Sequence, residues 1–240
     1  MSGEHGPVED GPWADKLPAR AVTPTDPPRL FGYDVHEDLA HHYRFSEVLW
    51  LAATRELPAD GAADVLECAL TYLLPVSVAE APANAASVAQ ACQSSLASVA
   101  SVGAIALAQQ GQWVLERHAP LWPWLRGEVE AFPEALRGGP DEAPAVRRFA
   151  SALARVSYTH RIFECSPGLH TAALAVLFDL GFREPEQLLT LWMSSRLPCV
   201  LAEAFAGGRG RLYEYPMDLP HFEYVGGERR STAEEGSDGR

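Results

Sequence analysis

Between Glu80 and Glu116 the chain carries no charged residue. A stretch of that length without charge either crosses a membrane or lies as helix among other helices. A spanning helix needs about 20 predominantly apolar residues, and here Asn84, Ser87, Gln90, Gln93, Ser94, Ser95, Ser98, Ser101, Gln109 and Gln110 interrupt the run. The residues between them are mostly Ala, Val, Gly and Leu, small enough to let helix backbones approach closely. The stretch from Asn84 to Gln110 therefore reads as a small-residue helix at a tight helix–helix crossing. One small chain offers little to cover such a helix on every side, so burial on dimerisation is the physical solution.

The remaining pattern is helical as well. Residues 36–56 place Leu39, Tyr43, Val48, Leu51 and Ala52 on one side, and Leu57-Pro58 is a stop, because a residue before proline disfavours the helical conformation. Residues 62–74 form an amphipathic helix carrying Val65, Leu66, Ala69, Leu70 and Leu73. In residues 163–206, Leu169, Ala172, Ala173, Val176, Leu177 and Leu180 recur at helical spacing, Gly181 is a helix stop, and a second helix opens at Pro185 with acids in its first turn. Residues 119–162 hold Pro120, Trp122, Pro123, Trp124, Pro133, Gly138, Gly139, Pro140 and Pro144, then a helix over about 144–160. Trp122 and Trp124 are either core or a patch for a partner, since Trp is enriched at interface hot spots. No run alternates long enough to be a strand. The predicted fold class is all-α.

At the ends the composition changes. Residues 1–29 are polar and Pro-rich and read as a flexible arm; residues 227–240 read as a disordered charged tail. The amino terminus lacks a basic segment followed by an apolar core, so it is not a signal peptide. The formal net charge of -13 argues against nucleic acid and anionic membrane as partners. Cys68, Cys92, Cys165 and Cys199 form no CxxC pair, which fits scattered thiols of a reducing, cytoplasmic compartment. His36, His41 and His42 lack HExxH spacing, and adjacent residues point to different helix faces, so no metal site is predicted. There is no G-x-S-x-G elbow, Walker loop or dinucleotide fingerprint.

Four segments resemble the citrate synthase family, including its citryl-CoA lyase-like relatives. In that family a P-N-V-D motif precedes a small-residue helix ending in L-G. A proline-containing turn and a helix bearing A-R-x-x-G-x-x-A-H follow. Here Pro167-Gly168-Leu169-His170, Leu180-Gly181, Ser195-Arg196 and Ala202-Glu203 stand in that frame. Gly32-Tyr33, Leu39-Ala40, Phe45, Glu47-Val48, Leu51 and Glu56-Leu57-Pro58 match a second family segment in register. Residues 81–112 resemble the small-residue helix that packs at the family's subunit interface, with Gln90 near the family's arginine and Gln109-Gln110-Gly111-Gln112 where H-G-x-A is expected. Residues 220–226, PHFEYVG, match a motif near the carboxyl terminus, with Leu219 in place of an arginine.

The resemblance implies the family's large helical domain over residues 30–226. Residues 119–162 diverge and lack G-H and D-P-R, so the small domain that closes over acyl-CoA is expected to be reduced or missing. It places His170 at the catalytic aspartate, Gln110 at a substrate-binding histidine, Glu203 at another family histidine and Arg196 at a carboxylate-binding arginine. His170 has a reference pKa suited to proton transfer, and a histidine at a helix start is also commonly a simply solvated one. Arg196 either binds an anion or pairs with Glu203. The implied function is that of a degenerate, non-catalytic subunit of a citrate synthase or citryl-CoA lyase type assembly. It would be a homodimer or be paired with a full-length paralogue. The alternatives are an active acyl-CoA carbon–carbon lyase or synthase (acyltransferase) using altered residues, or a module that binds and senses CoA esters or tricarboxylates. No cofactor is implied beyond a CoA ester as substrate or ligand.

Overall fold

The computed structural model describes residues 19–207 apart from residue 24. The family-like segment at 220–226 and the predicted tail lie outside the described residues. Three two-residue strands, β1 (Val22–Thr23), β2 (Arg29–Leu30) and β3 (Tyr33–Asp34), pair antiparallel in that order. No alternation signalled them, and they straddle residue 29, where sequence placed the edge of the arm.

The described helices are α1 (Ala40–His42), α2 (Phe45–Thr54), α3 (Ala62–Leu73), α4 (Ala81–Ala91), α5 (Leu96–Arg117), α6 (Leu121–Leu125), α7 (Ala143–Arg155), α8 (Leu169–Asp179) and α9 (Pro185–Ala206). The single helix expected over 36–56 is broken. A π-helical turn, Val35–Leu39, runs into α1, Tyr43 is extended, and α2 starts afresh after Arg44. It ends before the predicted Leu57-Pro58 stop, at Arg55, which is left-handed at φ 71°. The uncharged stretch is also two helices, because Gln93 turns left-handed at φ 58° and Ser95 then caps α5 by accepting from Ser98 N.

α4, α5 and α9 pack into one layer, and α3, α6 and α7 surround α8. α8 is buried along Thr171–Phe178, so the helix covered all round is this one and not α5. α5 instead leaves Leu96, Val102, Ile105 and Trp113 exposed. The tight crossing expected of α5 is present: a Cβ at Gly103 would lie 2.9 Å from Val200 Cγ1, and one at Gly111 would lie 2.7 Å from Leu189 Cδ1. Trp124 is core, while Trp122 stacks on Phe178 with ring centres 5.7 Å apart. Among the described residues no helix is long and apolar enough to cross a membrane.

Candidate functional site

The start of α8 is held by an antiparallel bridge between Arg137, in the divergent segment, and Pro167. Gly138 N donates to Ser166 O at 3.0 Å and Gly168 N donates to Leu136 O at 3.1 Å. Only glycine fits at 138, since a Cβ would sit 2.6 Å from the backbone oxygen of Pro167. The Glu142 carboxylate then receives Leu169 N at 3.1 Å and Gly139 N at 3.3 Å, a favourable place for negative charge at a helix N-terminus. This fixes His170, the second residue of α8, at a cleft of about 150 Å³. Trp113, Val114 and Arg117 from α5, His118 just after it, Ala135–Arg137, Glu142, Gly168 and Thr171 line the rest of the cleft.

His118 is buried and was not singled out by sequence. Its Nδ1 lies 2.7 Å from Val114 O, so Nδ1 carries the hydrogen and donates. In the neutral ring Nε2 then accepts from the Thr171 hydroxyl at 3.1 Å, and that single hydroxyl proton also faces Leu136 O at 3.3 Å. Burial pushes the His118 pKa down, favouring this neutral form. His118 extends the buried stripe of Leu107, Gly111 and Val114 on α5. A polar residue in an apolar register was the available signal.

His170 is held well below the ordinary histidine value, at about 4. Burial is the main cause; the Arg196 guanidinium and the neighbouring His118 add to it, and Glu80 and Glu142 oppose it. Its ring meets Trp192 edge-on, with centres 5.2 Å apart.

Arg196 is 1% exposed. Its guanidinium lies 4.5 Å from the Trp192 ring centre, donates to Glu80 Oε2 at 2.5 Å and donates to Leu73 O at 2.7 Å. Its ion-pair partner is Glu80, from the loop before α4, and not Glu203, which is exposed. Gln110 joins the same carboxylate, donating from Nε2 to Glu80 Oε2 at 2.9 Å. The structure thus brings His170, Arg196 and Gln110 into one neighbourhood through Trp192 and Glu80. Of the three, only His170 lines the cleft. The cations at the cleft are Arg117, which lies over Trp113 at 5.3 Å, and Arg137, bound to Glu134 and Cys165 O at 2.7 Å each. Among the described residues no group of three His, Cys, Asp or Glu is placed to hold a metal ion.

No family model matches this sequence, and no curated protein matches it. A solved structure of citryl-CoA lyase from Hydrogenobacter thermophilus matches in three dimensions with a TM-score of 0.62. It is 15% identical in sequence, over 93% of this chain and 96% of that one. The chain has a citrate synthase-like helical fold. At this identity the likeness concerns the fold alone.

Proposed function

We propose that the protein is a citrate synthase-like subunit that binds a carboxylate or its CoA ester at the His170 cleft and contributes little carbon–carbon chemistry by itself. The observation that carries this reading is the state of the groups able to move a proton there. Glu142 already accepts from two backbone amides. His170 would have to become a cation beside buried Arg196, which is part of what holds its pKa near 4. A general base works best with a pKa near the operating pH. Arg117 and Arg137 supply charge for a carboxylate at the cleft mouth. Arg196 and Gln110, both spent on Glu80, keep Trp192 and hence His170 in place.

The test uses the full chain. Citrate, oxaloacetate or acetyl-CoA should raise the melting temperature through linkage, and the gain should disappear in Arg117→Ala. Thiol release from acetyl-CoA with oxaloacetate should stay at background. Turnover that is lost in His170→Ala would establish the second reading, an active lyase or synthase. The fold likeness to a citryl-CoA lyase is the reason to carry that alternative. Absence of any ligand-dependent shift would sink both.

The same reading has the subunit paired, with a second copy or a paralogue, over Val102, Ile105 and Trp113. These residues are exposed on one side of α5, and no residue from 81 to 115 is charged.

A further inference from the structure

α7 is strongly two-sided. Val146, Phe149 and Leu153 are buried, while Arg147, Arg148, Ser151 and Arg155 share the opposite, exposed face. With Tyr72 of α3 and Pro144 they line a groove of about 330 Å³. The chain has 32 Asp and Glu against 19 Lys and Arg, so acidic partners are plentiful. Arg44, Arg126, Arg137 and Arg196 each find one. Among the described residues, Arg147, Arg148 and Arg155 show no ion pair, and no carboxylate lines their groove. Arg147 and Arg148 adjoin and Arg155 follows two turns on, so this face gathers three positive charges with no carboxylate among its lining residues.

We propose that this groove is a binding site for a phosphate-bearing small molecule of the diphosphate class, separate from the His170 cleft. Guanidinium groups form paired, charge-assisted hydrogen bonds to phosphate oxygens. The lining offers three guanidiniums as donors and a Tyr72 hydroxyl able to donate, while the Ser151 hydroxyl gives its proton to Arg147 O at 2.9 Å. Tyr72 packs on Phe149 with ring centres 4.8 Å apart, which gives the groove a rigid aromatic wall. A concave groove of this size suits a small ligand better than a flat membrane or protein surface does.

The experiment is calorimetry on the full chain with pyrophosphate, ADP, AMP and adenosine, repeated at higher salt, with phosphatidylserine vesicles in parallel. Pyrophosphate and ADP should bind and adenosine should not. Equal affinity for pyrophosphate and ADP identifies the diphosphate alone as the ligand; tighter ADP identifies a nucleotide. Arg148→Gln/Arg155→Gln should weaken both by roughly tenfold or more. Both positions are solvent-exposed, so that variant should melt no lower than the parent and should keep its response to citrate. Unchanged affinity in that variant overturns the proposal. So does binding to vesicles without binding to pyrophosphate, or an affinity for sulfate equal to that for pyrophosphate. The proposal does not rest on the reading of the cleft, and the citrate response separates the two.

Discussion

Replacing Arg196 with Ala tests whether this residue builds the site or serves a ligand. The side chain is 1% exposed and donates to Leu73 O and Glu80 Oε2. Losing it leaves the Leu73 carbonyl buried and unpaired, a cost of about 1–3 kcal/mol. Removing one partner of a fully buried ion pair costs about 3–5 kcal/mol. Glu80, however, is 31% exposed at its side chain and can rehydrate, so its share is smaller. These effects overlap, and the net is about 3 kcal/mol. In a chain of this size that lowers the melting temperature by about 6–12 °C. Thermal and urea unfolding of the unliganded protein measure it. Glu80→Gln keeps an acceptor but strands a buried guanidinium, so it should also destabilise. The double variant should lose less than the sum of the two, with a coupling of at least about 1 kcal/mol. A drop in Arg196→Ala below about 2 °C, or strict additivity, would refute the structural role and return Arg196 to the ligand.

His170 titrates at about 4 in the folded protein, against 6.5 ordinarily. As pH falls below 6.5 the unfolded chain therefore takes up a proton that the native state refuses. Stability should fall from pH 6.5 to about pH 4, by an amount on the order of 3 kcal/mol. His118 and His160, depressed by burial in the same direction, add to the slope. His170→Gln should flatten that slope in denaturant titrations at several pH values. If it does not, the depressed pKa of His170 is wrong. Gly138→Ala puts a methyl 2.6 Å from Pro167 O, so the start of α8 must shift. The melting temperature should drop, and the citrate-dependent shift should vanish. Ile105→Arg places charge on an apolar face that is 60% exposed at this residue in the single chain. Sedimentation should show it to be monomeric and folded where the parent is a dimer. A parent that is itself a stable monomer at micromolar concentration would rule the pairing out.

What the sequence made legible was set by short-range rules. The α8–α9 hairpin follows from residues that dictate their own backbone: Gly181 takes φ 102°, and Pro185 opens α9. The division of the uncharged stretch was also within reach, because Ser95 has Ser98 three residues on, as a helix cap requires. The strands were not, since two-residue elements are too short to alternate. The site fails to show for a different reason. Spacing arguments find partners on the same helix, and for Arg196 they find Glu203. The carboxylate that takes the guanidinium is Glu80, 116 positions away, delivered by the loop between α3 and α4. His118 and Thr171 meet across 53 positions in the same way. A buried charge is neutralised by whichever element the packing brings to it. The partner of a charged residue such as Arg196 is therefore set by tertiary contacts that no local pattern records.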